Sequence, residues 1–144
     1  MRRNGRPEDP VFEPAEKLFR RYKRQHIVGG AFSGVGLSFK DAPSLNREKY
    51  GPPQDVLFSE TDEFANWGVL SFQVQHIPPS FPPEHPRYNL FPKHMPLDDN
   101  YSHTELHCVG IPPAGYVEPT PPAVRKLLRA VLSQKITVEI EART

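Results

Sequence analysis

The chain has 144 residues, 37% of them hydrophobic, with 18 Lys and Arg against 17 Asp and Glu. That length accommodates one ordinary domain with one core. The near balance of charge excludes a global field that would draw the whole chain to nucleic acid or to a membrane.

Along the chain, residues 1–13 read as a flexible polar and basic arm, and residues 14–144 as a single α+β domain. Charge is concentrated at the start, where the first 24 residues hold eight Lys and Arg against four acids. Arg2 and Arg3 lead into Glu8-Asp9-Pro10 with no apolar stretch of the kind a secretion signal needs, and no run approaches the roughly 18 apolar residues of a bilayer span. A soluble, cytoplasmic chain without membrane contact is therefore expected.

From Pro14, the residues Ala15, Leu18, Phe19 and Tyr22 recur at i, i+3, i+4, i+7 and predict a short amphipathic N-terminal helix ending near Gln25. A strand over 17–22 is the competing reading. The run 27–39 ends in alternating Val35, Leu37 and Phe39 and suggests a strand. Gly34-Val35-Gly36 lacks the third glycine of a dinucleotide fingerprint, and no helical pattern follows it.

Residues 41–51 are polar and turn-rich, and Pro52 and Pro53 open a short helix over 52–57. Trp67 to Ile77 is the clearest strand, with Leu70, Phe72 and Val74 alternating with polar residues. Proline is the compositional outlier: 18 residues, where average usage of about 5% predicts about seven. Because proline lacks a backbone donor, the stretch 78–96 is expected to be a long proline-rich loop.

Residues 101–110 form the next expected strand. A helix follows from Thr120 to about Gln134, with Val124, Leu127, Leu128, Val131 and Leu132 on its apolar face. Ile136, Val138 and Ile140 then alternate with polar residues in a terminal strand. The order of elements predicts a mostly antiparallel sheet packed by the amphipathic C-terminal helix and the short N-terminal helix, with long proline-rich loops between.

The densest chemistry lies in Asn100-Tyr101-Ser102-His103-Thr104-Glu105-Leu106-His107-Cys108. On a strand, Tyr101, His103, Glu105 and His107 share one face, while Leu106 and Cys108 turn to the core. Residues two apart are separated by about 6.6 Å, and His103 and His107 by about 13 Å. Both histidines therefore cannot reach one metal ion at bonds of about 2.0 Å, and further ligands would have to come from His76, His85 or His94.

The pattern is neither the His-Glu-x-x-His of zinc proteases nor the zinc deaminase signature, and the lone Cys108 rules out an internal disulfide and a multi-cysteine zinc site within one chain. No cofactor or metal is implied. Metal-free acid/base chemistry by His103, Glu105 and His107 is the leading reading, since imidazole exchanges protons near neutrality and a carboxylate can orient it. A hydrogen-bonded polar sheet face without chemistry is the alternative.

Asn100, Tyr101 and Ser102 would bind a polar ligand, and Asn46 with Arg47 would hold an anionic group such as phosphate. Ser33 and Ser38 carry no hydrolase signature, and Cys108 reads as a buried thiol. A second function class is a protein-interaction module that uses the proline-rich stretch 78–96, with its Pro-x-x-Pro spacings, and the basic N-terminal helix. Contact with nucleic acid through residues 2–24 is not expected, because such charge more often marks a solvated helix face.

The residues Ser44-x-Asn46-Arg47-x-Lys49-Tyr50-Gly51-x-Pro53-x-Asp55-Val56-Leu57, Trp67-Gly68-Val69 and Asn100-Tyr101-Ser102-His103-x-Glu105 together resemble a pattern of small uncharacterised bacterial proteins. That resemblance implies no activity. A looser similarity is to compact ADP-ribosyltransferase-like toxins, and it would assign roles to Arg20 or Arg21, to Ser33 or Ser38, and to Glu105.

Overall fold

A computed structural model describes residues 6–28, 31–32, 44–78, 80–81, 88–110, 115–116 and 122–143. Its strands are β1 (Lys17–Tyr22), β2 (Ile27–Val28), β3 (Ala31–Phe32), β4 (Ser44–Arg47), β5 (Gly68–Gln73), β6 (Ser80–Phe81), β7 (Tyr88–His94), β8 (His103–Gly110), β9 (Gly115–Tyr116) and β10 (Thr137–Ile140), with one helix, α1 (Pro122–Leu132), among the described residues. The main sheet runs β10-β5-β1-β4-β8-β7-β6, with β9 paired to the far end of β8, and β2 and β3 form a separate small hairpin. All strand pairs are antiparallel. The architecture is α+β, and no helix is long and apolar enough to cross a membrane among the described residues.

The expected N-terminal helix is a strand. Residues 17–22 form β1 near the middle of the sheet, paired with β5 across all six residues and with β4 through Leu18 and Phe19. Both faces of β1 are covered. Leu18 and Tyr22 join the core under α1 with Leu70, Phe72, Leu106, Leu128 and Leu132, while Phe19 packs on the opposite face with Val56 and Val69. Val56 belongs to a 3₁₀ turn, Pro53–Leu57, which caps that second face.

The expected loop over 78–96 also contains structure. Tyr88–His94 is a strand paired residue for residue with β8, from Tyr88 opposite Gly110 to His94 opposite Thr104. Pro92 sits within it opposite Leu106. Among the described residues the outer neighbour β6 pairs only with Tyr88 and Asn89, and a residue without an N–H is tolerated on the edge beyond. Residues 79 and 82–87, and with them His85 and most of the Pro-x-x-Pro spacings, lie outside the described residues, as do Gly34-Val35-Gly36, Ser33 and Ser38.

The expected flexible arm is, from Arg6 onward, a strap bound across the sheet. Its anchor is Arg47 on β4, whose side chain is wholly buried. Nε and Nη2 donate to the two carboxylate oxygens of Glu16 at 2.9 Å each, Nη1 donates to the Asp9 carbonyl at 2.7 Å, and Nη2 also donates to the Val11 carbonyl at 2.6 Å. The guanidinium lies 3.9 Å from the centre of the Phe12 ring. Further along, Arg6 covers the Tyr101 ring at 3.5 Å, and the Tyr101 hydroxyl donates to the Pro7 carbonyl.

Gly68 opens β5 directly against the Tyr22 ring. A Cβ there would penetrate that ring and stand 2.6 Å from the Ile140 carbonyl oxygen, so the close approach of β5 to β1 and β10 requires glycine. Overpacking of this kind costs about 1–3 kcal/mol. Gly68→Ala should lower the urea midpoint, and the loss should shrink when Tyr22 is first truncated to leucine.

Breaking a buried ion pair by removing one partner costs about 3–5 kcal/mol, because the survivor is left charged and unpaired. Arg47→Met should therefore destabilise the chain by about that much in urea unfolding and speed proteolytic cleavage between residues 9 and 16. A double change with Glu16→Gln should recover part of the loss, and failure to recover any would show that the pair is not coupled.

Candidate functional site

Alternation along β4 and β8 sorts their side chains onto two faces. Leu45, Thr104, Leu106 and Cys108 turn toward the core side, where all are buried. Ser44, Asn46, His103, Glu105 and His107 turn to the other, since Ser44 pairs with Glu105 and Asn46 with His103. β7 adds Phe91 opposite His107 and Lys93 opposite Glu105.

On that face four side chains form a row. Ser44 Oγ lies 3.2 Å from His103 Nδ1, His103 Nε2 lies 3.5 Å from Glu105 Oε2, and His107 Nε2 lies 3.1 Å from Glu105 Oε1. An ionised carboxylate only accepts, so both Nε2 atoms carry protons. In the neutral imidazole His103 Nδ1 is then the acceptor for the Ser44 hydroxyl. His103 is nearly buried, whereas Glu105 and His107 are partly exposed and Ser44 is exposed. The Phe91 ring lies 5.9 Å from His107.

An open groove of about 1090 Å³ begins where this row ends. Phe19, Arg21, Ser44 and Asn46 from β1 and β4 line it, together with Arg20. One side is the segment Asp55–Glu60 with Trp67, and the other is the β7–β8 turn, where Leu97 and Asn100 exchange backbone hydrogen bonds and Asp99 to His103 reach the groove. The lining carries two guanidinium groups against the carboxylates of Asp55, Glu60 and Asp99. Burial depresses the Arg20 guanidinium to about 10, with the neighbouring charge of Arg21 adding to the shift. Arg20 Nη1 donates to the Ser44 carbonyl at 3.2 Å, and Arg21 donates to the Val56 carbonyl at 3.2 Å while covering the Phe64 ring.

Of the residues read from the sequence as ligand-binding, Asn46, Asn100, Tyr101 and Ser102 all line this groove with His103. They are also bonded to one another. Asn100 Nδ2 donates to Asn46 Oδ1 at 3.0 Å, and Ser102 Oγ donates to Asn100 Oδ1 at 3.0 Å. Glu105 and His107 continue the row beyond the groove lining. Arg47 does not join them: it is on the core-side face, and four of its five N–H groups are committed to Glu16, Asp9 and Val11. Its guanidinium is therefore held inside the fold rather than turned toward the groove, where Arg20 and Arg21 are the cationic lining residues.

The sequence reading missed Ser44, Phe58 and the groove role of Arg20 and Arg21. Ser44 lies within a turn-rich stretch and opens a pattern that implies no activity, and only the register of β4 on β8 brings it to His103. Among the described residues no group of three or more His, Cys, Asp or Glu is arranged to hold a metal ion. In comparisons with known proteins, no family model, no curated protein and no solved structure matches the chain.

His94 supports one end of the groove from below. Its Nδ1 accepts the Asp9 N–H at 2.8 Å, so its proton is on Nε2, which donates to the Tyr101 carbonyl at 2.5 Å. Its ring stacks on Tyr50 and meets Tyr101 edge-on at 4.7 Å. Asp9 in turn accepts from Lys49 at 2.8 Å and from the Tyr50 hydroxyl, and these bonds hold its carboxyl far below the usual carboxylate range. Burial lowers the His94 pKa below its ordinary 6.5, and protonation of Nδ1 would set a donor against the Asp9 N–H.

A histidine depressed on folding contributes stability that is complete above the unfolded value near 6.5. That stability is lost as pH falls from there toward the folded value, because the unfolded chain binds the proton first. Stability should therefore decline below about pH 6.5, and part of that slope should vanish in His94→Gln. Urea midpoints at a series of pH values for the two chains give the difference directly, and parallel curves would show that His94 is not linked to folding.

Proposed function

We propose that this chain is a small enzyme-like domain that binds a polar ligand in the groove and moves a proton with His103. Glu105 holds the imidazole in one tautomer and balances the charge when it takes up a proton. His107, on the other oxygen of Glu105, fixes that carboxylate. Asn46, Asn100 and Ser102 supply the hydrogen bonds that orient the ligand, and Tyr101 forms part of the wall. The observation that carries the reading is that His103 lines the groove and is bonded at once to Glu105 and to Ser44.

The balance of the lining, two cations among three carboxylates, favours an uncharged polar ligand over a phosphate. A cationic cleft would be needed to hold a polyanion in water. A second reading, a protein-interaction surface, draws on Phe58, 77% exposed, and Leu97, 39% exposed, at the same groove. Its basic arm is engaged within the chain from Arg6 onward, so the apolar pair would have to carry it.

A fragment screen read by amide chemical shifts tests the proposal. Uncharged polar fragments should move the resonances of Asn46, Asn100 and His103. Loss of a hydrogen bond to a charged group is worth about 1.5–3 kcal/mol, so Glu105→Gln should weaken binding about tenfold or more. Stability should change by no more than about 0.5 kcal/mol. Unaltered binding by both Glu105→Gln and His103→Asn, with Phe58→Asp abolishing it, would transfer the groove to the interaction reading.

A further inference from the structure

We infer that Ser44 is an activated nucleophile and that the groove takes uncharged carboxylic esters with an apolar arm. This rests on the acid/base reading of His103 and Glu105 and extends it to a covalent step. The hydrogen-bond partners of the neutral imidazole suit these proton roles. Because His103 Nε2–H is turned to Glu105, Nδ1 is the basic nitrogen, and it faces the Ser44 hydroxyl at 3.2 Å. A nucleophile bonded to a base that is oriented by an acid is the arrangement that activates a hydroxyl.

Ser44 is exposed at the groove, while His103 beside it is nearly buried, so an incoming acyl carbon meets the hydroxyl first. Serine and histidine come from neighbouring strands of one sheet, and the direct pairing of Ser44 with Glu105 fixes their separation. Asn46, two residues along on the same face, already has its amide oxygen engaged by Asn100. We assign its Nδ2 the acyl oxygen. Phe58, Trp67 and Leu97 offer the apolar wall, and the mixed charges of the lining disfavour a polyanionic substrate.

In the first half-reaction the Ser44 Oγ–carbon bond forms as the Oγ proton passes to His103 Nδ1. The ester carbon–oxygen bond then breaks, and Nδ1 returns the proton to the departing alcohol. In the second half, water gives a proton to Nδ1 and attacks the acyl carbon. Ser44 Oγ leaves and recovers that proton, so ester and water become acid and alcohol.

The test uses the full chain with an alkyl fluorophosphonate and with p-nitrophenyl butyrate. One phosphonyl group should appear per chain, on the peptide containing Ser44, and none in Ser44→Ala. A general base contributes about 10²–10⁴-fold, so His103→Asn should slow both labelling and ester turnover by at least about 100-fold. Glu105→Gln should slow them by less and provides a second variant if His103→Asn does not fold.

Label on any other residue, or unchanged ester turnover by Ser44→Ala, overturns the nucleophile. If fragments still bind through His103 in that case, the acid/base reading stands without it. If binding and labelling are both absent, the two fail together.

Discussion

The buried pairing of Arg47 with Glu16 is the constraint on which the rest of the architecture depends. β4 is only four residues long, yet it is the strand that joins the β10-β5-β1 half of the sheet to the β8-β7-β6 half. A short central strand makes few ladder bonds. Arg47 compensates by reaching out of the strand in two ways: its backbone N–H donates to the Ser102 carbonyl at 2.9 Å, and its guanidinium binds the segment from Asp9 to Glu16. The first contact sets where the β7–β8 turn returns to the sheet. The second closes the core-side face and delivers the chain into β1. An ion pair so placed adds little net stability over apolar packing of the same volume, but it tolerates few alternative arrangements of the groups around it.

From that clamp the support extends outward by contact. Asp9, held by Arg47 through its carbonyl, accepts from Lys49 and Tyr50 and gives its N–H to His94. His94 binds the Tyr101 carbonyl, and Arg6 covers the Tyr101 ring. Every one of these groups lies beneath or beside the Asn100–His103 segment, whose side chains form one wall of the groove. Alternation along β4 thus turns Arg47 to the strap and Asn46 to the groove, and Tyr50 and Tyr101, which touch the strap and line the groove, connect the two.

That alternation was readable in β8, where Glu105 and His107 alternate with Leu106 and Cys108, although Thr104 on the core-side face is polar. It was also readable in β5. β1 misled because it is covered on both faces: Leu18 serves the core beneath α1 and Phe19 the smaller core over Val56, so adjacent positions are apolar for unrelated reasons. With Ala15 and Tyr22 the spacing then imitates a helical stripe. Strand β7 was hidden by Pro92, whose missing donor argues against a strand unless one edge is open, and whether an edge is open is a property of the whole sheet. Arg47 looks like any loop arginine until Glu16, 31 residues earlier, is found against it.

Ser44 shows the same limit at the site. A serine acquires chemistry from what it touches, and its partner is 59 residues away. Residue types alone therefore pointed to His103, Glu105 and the Asn100–Ser102 segment, which are close in the chain, and missed the strand that crosses them. What the structure adds is rigidity. Ser44 and His103 sit at the ends of directly paired strands, so their separation is set by the sheet ladder rather than by loop conformation, and the imidazole lies between Ser44 and Glu105. The groove's outer wall, from Asp55 to Glu60, comes instead from a 3₁₀ turn and the loop after it. For the proposed reaction, a pair on fixed strands with the binding wall on a short turn would separate two demands, since geometry at the reacting atoms must hold to within about half an ångström while ligand fit can be adjusted at the wall.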